Sequence, residues 1–531
     1  MADTVEARAD VLDYIAHWVE YRAWKLRIPG VQLAVHLDGD VRLSRAFGVA
    51  DLDSGMPLGV GHRFRIASHS KWFTATAVLR LVQDGRLRLD DELGSLVPAY
   101  AGSDVAGITV GELLSHSAGV IRDGIDADFW QFGAPYPDDA ALATMVEGAG
   151  VVTAPYVAFK YTNVGYSLLG RVITAVTGRS YAEHVQRDLL DPLGLDEISV
   201  DVDERRLEEF ATGHSGLHTA RERRTLPHVG TGAFAAATGL SGTAEGLVRF
   251  AAAQFDGDER LLDERRKRRQ RRPVWRSDPA VETSKQYGLG VIIDDISGHR
   301  VYGHSGGFPG FITNTLFDPE QRLAVAVLTN AIDGAAGELA AGVVRLLDAA
   351  AAPDATWHAE GIDLDSFTGR YANLWGVVDI VRAGKRLIAI SPGDANPVES
   401  PDELRVLDAD TLLIERGNGF GAVGERMRFS RDSDGTVASL RGAGGVTLVP
   451  LGIGRELPEW GDRIGCRVTA GTGHTEGNHA EPWQARPDRT TPPSSTIARS
   501  NGVPSPRSSA STGSRPEAPG WTAGSSGTSS S

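Results

Sequence analysis

The chain has 531 residues, 41% of them hydrophobic and 23% charged, with a net charge of −15. That size and composition suit about three domains with a large core, and the acidic balance argues against a broad nucleic-acid-binding surface. A single cysteine, Cys466, excludes an intrachain disulfide. No apolar stretch approaches the ~18 uninterrupted residues of a membrane span. The opening M-A-D-T-V-E-A-R-A-D lacks the basic and apolar parts of a leader, so a soluble, cytoplasmic protein is expected.

Residues 5–28 carry Val11, Leu12, Ile15, Trp18 and Val19 at helical spacing, which predicts an amphipathic helix ending near Pro29-Gly30. Two apolar runs joined by Asp38-Gly39-Asp40 predict an antiparallel hairpin. Residues 64–81 follow, F-R-I-A-S-H-S-K-W-F-T-A-T-A-V-L-R-L, apolar on nearly every side. That pattern predicts a helix buried all round. Ser68 and Lys71, three residues apart, share a face of it. Burying an unpaired ammonium is costly, and desolvation lowers a lysine pKa. A neutral amine beside a serine hydroxyl is a general base beside a nucleophile. A serine at a helix start is otherwise most often an N-cap. Composition favours the chemical reading. Only six of the 54 basic residues are lysine, so a lysine inside an apolar helix reads as a need for an amine that can lose its proton.

Residues 108–120 read as a capped short helix running into a loop, where His116 suits a backbone-satisfied histidine better than a ligand or base. Residues 121–157 hold Phe129, Trp130, Phe132, Tyr136 and Tyr156 among Pro and Gly, a loop-rich segment suited to walling a pocket. Tyr161 and Asn163 sit where a loop enters a helix; alone, they read as packing and turn chemistry. Residues 180–195 predict another amphipathic helix, and 239–251 a short strand feeding a helix. The run R-R-K-R-R-Q-R-R at 265–272 reads as a solvated helix end or loop rather than a nucleic-acid patch, because the rest of the chain is acidic and no nucleic-acid motif accompanies it. Residues 287–293, 301–307, 312–317 and 323–328 predict a four-stranded antiparallel meander closed by a helix over 335–351. Short strands with regular turn signals from 362 to 454 predict a small β-barrel or sandwich. From 462 the chain is rich in Ser, Gly, Thr, Pro and Arg, and a disordered tail is expected.

Three elements fall in order: Ser68-x-x-Lys71, Tyr161-x-Asn163 and His304-Ser305-Gly306. Together they resemble the serine β-lactamase and D,D-peptidase superfamily, whose penicillin-binding and class A members carry S-x-x-K, S-D-N and K-T-G. Tyr in the second motif and His in the third look like the branch of class C β-lactamases, related esterases, D-aminopeptidases and stand-alone peptide cyclases. The flanks I-T-V-G-E-L-L-S-H-S-A-G, F-K-Y-T-N-V-G-Y-S-L-L-G and Y-G-H-S-G-G-F-P-G agree, and the resemblance covers about residues 8–350. The unit at 362–455 resembles the lipocalin-like domain that follows the catalytic domain in some of these enzymes.

The resemblance implies an α+β fold: a catalytic domain over 1–353 with an antiparallel sheet packed by helices and a helical subdomain. A small β-barrel over 362–455 and a disordered tail over 462–531 would follow. It implies Ser68 as nucleophile, Lys71 and Tyr161 as general base and acid, and Asn163 holding Lys71 or the acyl amide. His304, on an edge strand facing the site, would orient Tyr161 or meet a substrate carboxylate. The backbone N–H groups of Ser68 and Gly307 would form the oxyanion hole, with Ser305 and Gly306 binding substrate. No metal or cofactor is called for. Histidine in the third motif holds a weaker charge than lysine, so esterase or D-residue peptidase activity is expected ahead of β-lactamase activity. The expected partners are a small ester or peptide, including a carrier-bound peptide, with neither nucleic acid nor membrane. A peptide cyclase of the same fold and a catalytically silent binding protein are the alternatives.

Overall fold

The two apolar runs around Asp38-Gly39 pair as the expected hairpin, Gly30–Leu37 with Asp40–Asp51. Asp38 and Gly39 both take positive φ to make the turn. Gly30–Leu37 is buried along its whole length because it has a partner on each side. Its second neighbour is Leu323–Thr329, with Val31 opposite Thr329 and Leu37 opposite Leu323. Strands from the two ends of the catalytic region thus meet at the middle of one antiparallel sheet. Beyond Leu323–Thr329 come Phe311–Asp318, His299–Phe308, Ile292–Ile296, Gln286–Tyr287 and Trp275–Arg276. The computed structural model described here covers residues 2–451 apart from 219, 354–357 and 420. The tail expected over 462–531, Cys466 and the last residues of the 362–455 unit lie outside the described residues.

Helices cover both faces of the sheet. On one face Leu12–Lys25 and Ala336–Ala351 bring Ile15, Trp18, Val19, Leu339 and Val343 against Val31, Leu33, Val325 and Val327. The indole of Trp18 lies so close to Gly342 that a Cβ there would come within 2.2 Å of it. On the other face lies the central helix, His69–Gln83, with twelve of its fifteen residues buried. Trp72 stacks on Phe317 of the sheet at 5.1 Å, and Phe73 stacks on Phe250 of the helix Ala244–Ala252 at 3.7 Å. Among the described residues no helix is long and apolar enough to cross a membrane.

Eight strands between Gly369–Ala372 and Thr447–Pro450 form a closed antiparallel barrel, sealed where Tyr371 pairs with Pro450. Phe367, Leu387, Leu404, Leu412 and Leu440 fill it, while Val381, Ile388 and Ile390 pack into the core beside Trp18. The buried pair Arg370–Asp379 (2.8 Å) binds it further, because Tyr14 donates to Asp379 at 2.8 Å and the Arg370 guanidinium lies 4.2 Å above the Tyr21 ring.

Several expected elements take another form. The N-terminal helix is two, Ala2–Asp10 and Leu12–Lys25, broken at the buried Val11. The helix over 180–195 holds its α geometry only for Tyr181–Val185 and then widens into a π turn. The strand over 287–293 is interrupted at Gly290, which has positive φ and presses on the central helix. A Cβ at Gly290 would lie 2.9 Å from the Lys71 carbonyl oxygen. The arginine run is neither a loop nor fully solvated. It forms the helix Glu264–Arg271, capped by Asp263, with Lys267, Gln270 and Arg271 buried.

Candidate active site

Ser68 occupies the N-cap position of the central helix, yet its side chain makes no capping bond. Its hydroxyl is left for Lys71, whose Nζ lies 3.2 Å from Ser68 Oγ. Ala67, immediately before it, is buried with φ +50°, a conformation that costs a non-glycine residue and is held by surrounding structure. That structure is the sheet. His69 donates through Nδ1 to the Ile66 carbonyl at 2.9 Å, and its Nε2 meets Thr315 Oγ1 at 2.9 Å. Gly306 packs directly on Ile66, where a Cβ would sit 2.2 Å from the carbonyl oxygen. The close approach of strand and helix start therefore requires glycine at the third motif.

Lys71 is wholly buried. Besides Ser68 its Nζ reaches Asn163 Oδ1 at 2.6 Å and the Ala237 carbonyl at 2.8 Å. Among the described residues no carboxylate touches it. Burial therefore holds its pKa well below the ordinary lysine value; the Asp123 carboxylate opposes that shift and the Arg122 guanidinium adds to it. A neutral amine keeps two N–H bonds for Asn163 and Ala237 and turns its lone pair to the Ser68 hydroxyl. The amide of Asn163 is oriented for this, because its Nδ2 donates to Asp123 Oδ1 at 2.6 Å. The same carboxylate oxygen accepts Trp130 Nε1 at 3.1 Å.

Tyr161 completes the cluster. Burial raises its pKa, while the nearby Ser68 side chain and the charge of Arg122 lower it and Asp123 raises it. The Arg122 guanidinium sits 5.3 Å from the ring centre and Lys71 Nζ 4.8 Å from it. Both neighbours of Tyr161 are tied to His116: Lys160 N–H donates to its carbonyl, and Thr162 N–H donates to its Nδ1 at 3.1 Å. The backbone thus satisfies Nδ1 of His116, as expected, but its buried Nε2 meets no hydrogen-bond partner among the described residues. Its ring, with centre 4.4 Å from that of Tyr161, forms the back wall.

His304 lies in the strand His299–Phe308. That strand is internal to the sheet, but Ile292–Ile296 pairs with it only as far as Gly303, leaving 304–308 with a locally open edge. Ser305 and Gly307 are exposed there and Gly306 is buried. His304 is itself buried. Its Nδ1 donates to the Ser305 carbonyl at 2.6 Å, and its Nε2 meets the Tyr287 hydroxyl at 3.2 Å. Burial, above all, pushes its pKa well down, and a proton on neighbouring Lys71 or His69 would lower it further, so it is neutral near pH 7. It makes no hydrogen bond to Tyr161, and it carries no charge for a carboxylate. Its actual partner, Tyr287, stood outside the motifs.

Arg122, Asp123 and His69 also went unassigned in the sequence. The loop-rich segment packs on the end of the third-motif strand: the Tyr136 ring stacks on Phe308 at 5.9 Å, and Trp130 meets the same ring edge-on at 6.0 Å.

A family model described as Beta-lactamase matches residues 7–349. Penicillin-binding protein 4 of Amycolatopsis lactamdurans is 30% identical over 332 residues, covering 59% of this chain and 85% of that protein. Protein flp of Staphylococcus aureus (strain MRSA252) is 26% identical over 318 residues, covering 59% of this chain and only 61% of that protein. Among solved structures, SurE is 28% identical with a TM-score of 0.55, covering 84% of this chain and all of that one. SurE with D-Leu matches at the same identity and coverage, with a TM-score of 0.51. D-amino acid amidase from Ochrobactrum anthropi SV3 is 27% identical with a TM-score of 0.51, covering 62% of this chain and 97% of that one. With its S-x-x-K helix set against an antiparallel sheet, the chain belongs to the beta-lactamase family.

Proposed function

We propose that the protein is a serine hydrolase that forms an acyl-enzyme from an ester or amide. The observation that carries this reading is Lys71, a buried amine 3.2 Å from Ser68 Oγ with, among the described residues, no carboxylate against it. As Ser68 Oγ bonds to the substrate carbonyl carbon, its proton passes to the neutral Lys71. The oxyanion is taken by the backbone N–H groups of Ser68 and Gly307, each donor worth on the order of 3 kcal/mol in such a site. When the bond to the leaving group breaks, Tyr161 gives that group its proton and recovers one from the Lys71 ammonium. Water then attacks the acyl-enzyme with the same groups acting in reverse. Asn163, fixed by Asp123, holds Lys71 in place throughout. The open edge at Ser305 and Gly306 suits an extended peptide laid along the strand.

The substrate class is a small ester or a peptide with a D-residue at the cleaved bond, free or carrier-bound. The likeness to SurE with D-Leu and to a D-amino acid amidase supports this. The neutral His304 supplies no fixed cation for a penicillin carboxylate, which supports low β-lactamase activity. The same reading takes the enzyme as cytoplasmic.

A burst assay with p-nitrophenyl butyrate tests the chemistry. A stoichiometric burst in the wild type, absent in Ser68→Ala, is expected; equal burst-free traces would remove the acyl-enzyme. Paired D- and L-phenylalanine amides then test stereochemistry, with faster turnover of the D form expected. A linear peptidyl thioester mimic released as free acid fits a hydrolase, whereas a ring makes the enzyme a cyclase.

A further inference from the structure

The arginine run has two faces. Inward, Lys267 Nζ donates to the carbonyls of Phe255 (2.6 Å) and Asp258 (2.7 Å), Gln270 donates to Thr76 of the central helix at 3.3 Å, and Arg271 pairs with Asp256 at 2.7 Å. These bonds seat Glu264–Arg271 rigidly on the catalytic core. Outward, Arg265, Arg268, Arg269 and Arg272 stand at i, i+3, i+4 and i+7, a single helical stripe. All four are exposed, and among the described residues none makes a side-chain ion pair or hydrogen bond. Like charges so spaced destabilise a helix. A chain with 69 acidic residues and a net charge of −15 has carboxylates to neutralise them, yet among the described residues none pairs with these four; Glu112 and Asp90, nearby, are taken by Thr109 and Arg88.

The stripe also rims apolar ground. A recess of about 410 Å³ opens beneath it, floored by Leu79, Val82 and Leu89. An adjoining cleft of about 520 Å³ shares Leu89, Arg269 and Arg272 and adds Tyr156 and Val274, both exposed, with Asp90 and Glu112 also in its lining. Arginine and tyrosine around an apolar floor is the make-up of a protein-binding patch.

We propose that this face docks an acidic amphipathic helix of a partner protein. Its carboxylates pair with Arg265, Arg268, Arg269 and Arg272, and its apolar residues fill the recess over Leu79, Val82 and Leu89. Guanidinium groups match carboxylates two bonds at a time. A nucleic-acid backbone offers phosphates but nothing apolar for the recess, and the net negative charge repels a long polyanion. A bilayer is disfavoured because the apolar atoms lie at the bottom of a concavity. None of these residues belongs to the catalytic cluster, so this docking and the proposed chemistry stand or fall separately.

The test uses the full chain and a fluorescent helical peptide with Glu at i, i+3, i+4 and i+7 beside a Leu stripe, followed by anisotropy at low and physiological salt. The peptide should bind, more weakly as salt rises. The double variant Arg268→Glu/Arg269→Glu should bind it at least about tenfold more weakly. A peptide of equal charge with Leu replaced by Ser should lose a similar factor. Unchanged p-nitrophenyl butyrate turnover and melting temperature would show that the variant is folded. The proposal is overturned if the peptide fails to bind or if the variant binds it as well as wild type. It is equally overturned if the Ser peptide binds equally, or if a short DNA duplex or phosphatidylglycerol vesicles bind as tightly as the Leu peptide.

Discussion

Two lysines in this molecule are wholly buried, and they do opposite things. Lys71, in the first turn of the central helix, meets an amide oxygen, a carbonyl and the Ser68 hydroxyl, all of them uncharged. Lys267, in the arginine helix, meets two carbonyls and the carboxylate of Glu264 at 2.5 Å. Burial alone does not make a base. A buried lysine with a carboxylate against it is an ion pair that fastens a turn, while one with only neutral acceptors is driven toward the amine. The carboxylate that acts on Lys71, that of Asp123, is kept one residue away, with the Asn163 amide between them.

The sharpest way to break this comparison is to exchange each lysine for methionine. Lys71→Met should abolish the p-nitrophenyl butyrate burst and lower turnover on the order of 10⁴-fold, the upper range for losing a positioned general base. It leaves no orphaned charge, so the fold should persist. Linkage gives this variant a second signature. The folded pKa of Lys71 lies below its unfolded value, so the unfolded state binds the extra proton. Its contribution to stability therefore rises with pH from the depressed folded value up to the ordinary lysine value, and is lost as pH falls back. Denaturant titrations across that window should show the rise in wild type and not in Lys71→Met.

Lys267→Met should do the reverse. It strands the Glu264 carboxylate and two buried carbonyls, at a cost of about 3 kcal/mol, the low end for a broken buried pair because Glu264 is partly exposed. The midpoint of urea unfolding should fall accordingly, with the burst per folded molecule intact. A variant that lost its burst while keeping its stability would place Lys267 in the chemistry and undo the distinction. Smaller again is Asp123→Ala, which frees the Asn163 amide to turn. Misplacing a positioned group costs on the order of 10–100-fold, and that loss should appear in kcat rather than in stability.

How much of this was legible in the chain depended on distance along it. Ser68 and Lys71 are one helical turn apart, so their meeting follows from periodicity, as does burial of the helix that carries them. The hairpin at Asp38-Gly39 and the regularly spaced turns of the barrel are equally local. Asp123 lies forty positions from Asn163, in a loop with no period, and nothing nearby marks it as that amide's partner. His304 was visible as a motif residue, but its neutrality comes from Tyr287 and from burial, neither of which its neighbours in sequence reveal. Lys267 was hidden by company. Among seven basic residues in eight, the charge run reads as solvent-facing, and only the turn at 255–258 folding beneath it makes one member a core residue. Gly290 misled in the other direction. Y-G-L-G-V-I-I alternates like a strand, but the Lys71 carbonyl lies so close that only a glycine turn fits.

The finest test of the comparison keeps both lysines and changes the charges beside one of them. Arg122 and Asp123 are adjacent in the chain and paired at 3.1 Å, yet they act on Lys71 with opposite sign. Turnover needs the amine, so kcat/KM should rise with pH through the depressed pKa of Lys71. Asp123→Asn removes the carboxylate that helps Lys71 keep its proton, which moves this acid limb to lower pH. Arg122→Gln removes the cation that helps expel it, which moves the limb to higher pH. Tyr161 responds to both charges with the same signs, so the directions hold whichever group sets the limb. The Arg122→Gln shift should be the smaller, since Arg122 is mostly exposed and its field is screened by solvent. At high salt the Arg122→Gln displacement should shrink more than that of Asp123→Asn, because Asp123 is the less exposed of the two. Limbs that moved together, or only under Arg122→Gln, would mean that Asp123 acts solely by holding Asn163 and that the charge on Lys71 is set by burial alone.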